Sequence, residues 1–189
     1  MLLIAGYSAY INARNNGWLP KKSLKDEHVF ITGAGSGIGR LMAIKFAEQG
    51  SKVSCTDIDF DSVQETASII KDKGLQALAI KLDVTKQEDI VQAAQTAKGL
   101  FGAVTILVNN AGIVHGKKIL DISERDLKKT FDVNALSHVM LIKEFLPDML
   151  KLNKGHIVSI SSLAGLVGVP GLGDYCGSKF AAFGIDESL

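Results

Sequence analysis

Downstream of residue 27, apolar residues fall into two alternating kinds of run. HVFIT, KVSCTD, LQALAIKLD, VTILVNN and GHIVSIS are short and rich in β-branched residues, and they read as strands. Between them, apolar positions recur at three- and four-residue intervals, the period of a helix with one buried face. These helical stretches run from the turn at 33–39 to Gln49, from about Asp61 to near Gly74, over 86–101, within 123–152, and onward from near Asp174. Gly50 stands where a helix C′ glycine belongs, and Ser123 followed by Asp126 has the form of an N-cap.

Strands that alternate with helices predict a parallel sheet covered on both faces. Right-handed crossovers, with a reversal after the third strand, make it a doubly wound α/β sheet of the Rossmann type, ordered 3-2-1-4-5. The chain has 189 residues, 47% of them apolar, enough for one substantial core, so residues 23–189 form one domain. A formal charge of +1 with scattered basic residues gives no nucleic-acid footprint. Cys55 and Cys176 have neither metal-ligand nor disulfide-framework spacing, which points to a reducing compartment. The four histidines are isolated along the chain, so no metal is expected.

The start of the chain is different. MLLIAGYSAYI is apolar and is followed by Trp18, Leu19, Pro20, Lys21 and Lys22. Eleven residues are too few for a spanning helix, which takes about 20. Aromatic and lysine residues at the polar end of an apolar run suit a membrane interface. Residues 1–22 are therefore either a candidate membrane anchor or a segment docked on its own protein.

The stretch from Thr32 to Gly39, TGAGSGIG, joins a strand to a helix. Its glycines, Gly33, Gly37 and Gly39, are spaced GxxxGxG. Such a turn lets the backbone approach a pyrophosphate seated on a helix N-terminus, with Ser36 and Ile38 in the same loop. Asp57 ends the second strand, where an acid accepts hydrogen bonds from ribose hydroxyls and repels a 2′-phosphate. Ser36 and Ile58 supply no cation for that phosphate, so NAD(H) is expected over NADP(H). Asp83 ends the third strand, where it either reaches the adenine edge or caps a helix. Tyr175 and Lys179 are four apart on the last helical stretch and so share a face. A fixed cation beside a phenol favours the phenolate, which makes the pair a proton-transfer device. Ser162 lies thirteen residues before Tyr175, beside Ser161.

Taken together, TGAGSGIG, Asp57, LDVT, NNAG at 109–112, Asn134, Ser162 and YCGSK resemble the short-chain dehydrogenase/reductase family, from about Glu27 to Leu189. NNAGIVHGKKILD, FDVNALSH, GHIVSISSLAGLVG and DYCGSKFAAFG resemble its membrane-associated branch of retinol and 17β-hydroxysteroid dehydrogenases. The resemblance implies Tyr175 as the general acid/base, exchanging a proton with a substrate hydroxyl. It implies Lys179 as the group that stabilises the phenolate and holds the nicotinamide ribose, and Ser162 as the donor to the substrate oxygen. Asn134 would kink the long helix and position a relay water. Asn110 and Gly112 would line the cofactor, with Val84 beside the adenine.

It further implies a lipophilic retinoid- or steroid-like substrate, attachment to the endoplasmic reticulum or lipid droplets through the N-terminus, and homodimers built on the last two helices. Family members carry two more strands and a substrate-binding segment after the tyrosine helix, which this sequence lacks. Two other readings stand beside this one. The first is an inactive form that binds cofactor or a partner without turnover. The second is a soluble 3-oxoacyl-type reductase in the cytoplasm, which would prefer NADP(H) and which Asp57 opposes.

Overall fold

The computed structural model describes residues 12, 13, 16 and 22–189, so the expected anchor falls almost wholly outside the described residues. Five strands form one parallel sheet: β1 (His28–Thr32), β2 (Lys52–Asp57), β3 (Ala77–Lys81), β4 (Ile106–Asn109) and β5 (His156–Ser159). Their order is β3-β2-β1-β4-β5, as the alternation of runs predicted. β1 is buried along its whole length, which is why its sequence is apolar on both faces.

Side chains of alternate sign along the strands fill two cores. On one face Val29, Ile31, Val53 and Val108 meet Ala43 and Ala47 of α1 (Gly37–Glu48) and Val63 and Ile70 of α2 (Phe60–Asp72). On the other, Phe30 and Leu107 meet Ile90 and Ala94 of α3 (Gln87–Phe101) and Leu141 and Phe145 of α5 (Ser137–Lys151). The Phe30 and Phe145 rings are 4.7 Å apart. Burying a ring of this size contributes about 2–3 kcal/mol. Two further helices, α4 (Glu124–Phe131) and α6 (Gly173–Glu187), bring the site residues together at the C-terminal ends of β4 and β5.

The expected ends of the helices hold. Gly50 and Gly74 take φ of +87° and +73° just past α1 and α2. Ser123 Oγ accepts from the Asp126 amide at 3.1 Å, at the start of α4. Two expectations need correction. α1 begins at Gly37, inside the segment read as a turn, because the glycine loop hands over directly to the first helical turn. The stretch 123–152 is not one regular helix: α4 and α5 are joined by a π-helical turn, Asp132–Leu136, with Asn134 at its centre. Such turns insert one residue into a helix and often lie at functional sites. Among the described residues no helix is long and apolar enough to cross a membrane.

Candidate functional site

The sheet order reverses between β1 and β4, and a crevice opens there at the carboxyl ends of the strands. It forms a cavity of about 370 Å³ lined by Gly33, Ser36, Asp57, Asp83, Val84, Asn110 and Gly112, all expected from the sequence. Ile58, Leu82, Ala111, Ile113, Lys129 and Val133 complete it. Gly37, Ile38 and Gly39 do not line it. They form the first turn of α1 at its rim, where Ile38 is 64% exposed.

The loop is shaped by close backbone approach. Gly33 has φ +67°, and a Cβ there would lie 3.0 Å from the Ala111 Cα. At Gly39 a Cβ would come within 2.0 Å of the Gly33 carbonyl oxygen. The Gly35 amide donates to Asp57 Oδ2 at 2.9 Å, and the Asp59 amide donates to Asp57 Oδ1 at 3.1 Å. Asp57 therefore pins the loop as well as facing the cavity, a second duty that the sequence did not announce.

Ser36 and Ile58 supply no cation, but two cations at other positions stand nearby. Arg40, the residue after GIG, donates from Nε to the Gly35 carbonyl and to Thr66 Oγ1, each at 3.0 Å, and its guanidinium pairs with Glu65 at 2.7 Å. These bonds occupy its Nε and Nη2 donors. Lys129, a second cation missed in the sequence, stands at the cavity wall.

Asp83 lines the cavity and also closes a local turn, accepting from the Thr85 amide at 3.0 Å and the Thr85 hydroxyl at 2.7 Å. Burial works against its charged form. The Thr85 hydrogen bonds, with Lys129 and Lys86 nearby, outweigh it and hold the carboxyl below its ordinary range. The helix-capping alternative is thus replaced by a turn within 83–85.

Thr32 is the hub between β1 and β4, unflagged in the sequence beyond its place at the head of the glycine motif. Its hydroxyl accepts from the amides of Asn110 and Ala111, each at 3.0 Å. Asn110 Nδ2 donates back to the carbonyls of Thr32 (2.8 Å) and Gly33 (3.2 Å). Asn110 thus fastens the loop and offers its backbone to the cavity. Asn134 clasps the next stretch in both directions: Oδ1 accepts from the Ile113 amide at 2.8 Å, and Nδ2 donates to the Ile113 carbonyl at 2.9 Å. Nδ2 also reaches Ser178 Oγ on α6 at 3.0 Å.

α6 presents Tyr175 and Lys179 on one face, as their spacing requires. Lys179 is 3% exposed, and its Nζ lies 5.8 Å from the Tyr175 ring centroid and donates to the Ile160 carbonyl at 2.7 Å. Burial pushes its ammonium below the usual lysine range. A Cβ on Gly112 would be 3.6 Å from that Nζ and 3.4 Å from Asn134 Oδ1, ordinary contact distances that place Gly112 against both groups. The two serines separate cleanly. Ser161 Oγ donates to the Lys179 carbonyl at 3.1 Å, whereas Ser162 Oγ accepts only the local Ala164 amide at 3.1 Å. Ser161 is a strut for α6; the Ser162 hydroxyl hydrogen remains available to a ligand.

On the segments that follow β4 and β5, Val114, Ile119 and Leu120 and then Leu163, Leu166 and Val167 are exposed apolar side chains. A second cavity, of about 420 Å³, lies by the other end of β5 among Leu146, Met149, Lys154 and Asp186, and none of the expected site residues lines it. Cys55 is inert, since burial pushes its thiol up to about 12. Cys176 is buried and accepts from the Val169 amide.

The family model described as short chain dehydrogenase matches residues 27–189. Human epidermal retinol dehydrogenase 2 is 47% identical over 90% of this chain, which spans 55% of that protein. Human estradiol 17-beta-dehydrogenase 11 is 41% identical over 100% of this chain, which spans 62% of that protein. The chain thus spans little more than half the length of these relatives. Among solved structures, a short chain dehydrogenase/reductase from Burkholderia phymatum in complex with NAD superposes with a TM-score of 0.86 at 32% identity. That match covers 89% of this chain and 60% of the other.

Proposed function

This chain belongs to the short chain dehydrogenase family, and from that premise we propose that it is an NAD(H)-dependent oxidoreductase interconverting a lipophilic alcohol, retinoid- or steroid-like, and its carbonyl. The observation that carries this reading is the buried Lys179 ammonium over the Tyr175 ring, beside a glycine-lined cavity at the reversal of the sheet. The cavity fits a dinucleotide. Glycine at 33 and 39 lets the loop close on Ala111 and Asn110, Ser36 just ahead of α1 lines the cavity, and Asp57 stands where a ribose would bind. When bound, the nicotinamide accepts or returns the hydride.

The protein's own residues manage the proton. Tyr175 takes the alcohol proton as the phenolate or gives it as the phenol, with the Lys179 ammonium 5.8 Å from its ring centroid. Ser162 donates to the substrate oxygen, holding the carbonyl against the developing charge. Asn134, fixed to Ile113 and Ser178, sets the π turn and orients a water toward Lys179. Val84 and Asp83 border the adenine end, and Asn110 and Gly112 the nicotinamide end. The exposed apolar side chains on the segments after β4 and β5 support a lipophilic substrate.

The cofactor preference is testable at one residue. Asp57→Asn keeps an acceptor for the Gly35 amide but removes the charge that repels a 2′-phosphate. The ratio of NADPH to NADH affinity is expected to rise about tenfold or more, read by titration of nucleotide fluorescence. A wild-type protein that prefers NADPH, with the ratio unmoved by the substitution, would contradict the assignment.

On the same reading, residues 1–22 anchor the protein to the endoplasmic reticulum or to lipid droplets, as their apolar and Lys-flanked sequence suits. Vesicle flotation should therefore fall sharply when 1–22 are deleted. Equal flotation with and without them would refute the anchor.

A further inference from the structure

Five polar side-chain atoms are buried without a partner among the described residues: Oδ1 of Asp174, whose other oxygen accepts from Thr130, Nδ2 and Oδ1 of Asn109, and Nδ1 and Nε2 of His138. Asn109 is 0% exposed and His138 1%. Amides and imidazoles this deep in a protein are hydrogen-bonded, to other groups or to ordered water. The proposed chemistry uses neither residue.

The fold brings them to one layer. Asn109 stands two residues after Leu107 on β4 and shares its face, and Leu107 packs with Leu141 and Phe145 of α5. His138 is three residues from Leu141 and lies on the same side of α5. Ser159, the register partner of Asn109 on β5, faces the same way and donates to Asp186 Oδ1 at 2.8 Å. Lys179 and Asp186 are seven residues apart on α6, two turns along one face, the first buried and the second exposed. His138 lies within electrostatic reach of both. Burial pushes its imidazole down to about 4, the Lys179 ammonium acts in the same direction, and Asp186 opposes them. The ring is therefore neutral near pH ~7, with one nitrogen to donate and one to accept.

We propose that His138 and Asn109 hold ordered water that carries protons between Lys179 and the solvent-facing carboxylate of Asp186, which makes His138 a positioning residue for proton transfer. This rests on the dehydrogenase reading. For each alcohol oxidised, a hydride leaves with the nicotinamide and one proton passes to Tyr175, and that proton must reach solvent before the next turnover. Lys179 receives a proton from the tyrosine side as it gives one to the first water. His138 accepts at one ring nitrogen and releases from the other, and Asp186 passes the proton to bulk. Each group gains and loses one proton, and a half-turn of the ring restores the starting tautomer.

A crystal structure that resolves water is expected to show ordered water about 3 Å from a ring nitrogen of His138 and from the Asn109 amide. A dry contact at both would overturn the proposal whatever the activity. In steady state, His138→Phe is expected to lower kcat about tenfold and to raise the solvent deuterium isotope effect on kcat, leaving KM for cofactor and alcohol unchanged. His138→Gln keeps a donor and an acceptor and should recover most of the rate. A thermal melt of each variant shows whether it is folded, which separates loss of the fold from loss of the proton route. A folded His138→Phe with unaltered kcat and isotope effect, beside an active wild type, overturns the proton route alone. A wild type without turnover overturns the dehydrogenase reading and the route with it.

Discussion

Tyr175→Phe is expected to lower kcat by about 10³-fold or more while leaving NADH affinity within about threefold of wild type. The size follows from the loss of a positioned general acid/base, which contributes roughly 10²–10⁴-fold, with no other phenol beside Lys179 among the described residues to take its place. The fold should be indifferent. Phenylalanine keeps the ring that lies 5.8 Å from Lys179 Nζ, and the tyrosine is only half-buried, so losing its hydroxyl costs about 1 kcal/mol or less. The combination separates the two main readings. An inactive nucleotide binder would bind NADH equally in both forms and turn over in neither. Turnover in the wild type, abolished in the variant with binding retained, assigns Tyr175 its part in the chemistry. Equal kcat in both forms would remove it.

Gly39→Ala is expected to destabilise the domain by about 2 kcal/mol and to abolish nucleotide binding. In an ordinary helix position, alanine is better than glycine by about 1 kcal/mol. Here the added Cβ would lie 2.0 Å from the Gly33 carbonyl oxygen and 2.7 Å from Asn110 Nδ2. The obstruction is backbone, so the loop must move, and with it the Asn110 bonds to Thr32 and Gly33. Forcing a methyl into packed structure costs typically 1–3 kcal/mol and occasionally more, enough to reverse the helical gain. Gly99→Ala in α3 is the control. Nothing lies within 4 Å of a Cβ there, so the same change should stabilise by up to about 1 kcal/mol. At about 2–4 °C per kcal/mol for a chain of this size, thermal melts should move in opposite directions. A Gly39→Ala protein that melts as high as wild type and binds NADH normally would contradict the close approach.

Local pattern carried most of the fold. KVSCTD is β2 from end to end, Gly50 and Gly74 mark the ends of α1 and α2, and Ser123 caps α4, because each is set by neighbours within a turn or a pleat. Spacing likewise located the glycine loop, Asp57, and the Tyr175–Lys179 face. What escaped depends on contacts between distant residues. The resemblance implied a kink at Asn134, but its form, a π turn tied to Ile113 and Ser178, keeps a helical pattern in the sequence. Arg40 looks like a surface residue of α1 until its partners on α2 are seen. Thr32 becomes a hub only when β4 lies beside β1. Asn109 and His138 are ordinary polar letters in sequence, and their burial belongs to the packing of α5 on the sheet.

The most direct measurement is the rise of NADH absorbance when the purified 189-residue protein is given NAD with retinol or with a steroid alcohol. The account predicts that one NADH forms for each alcohol oxidised, at a rate proportional to protein, with NAD favoured over NADP. Tight NADH binding without any NADH formation from either alcohol would contradict the central claim.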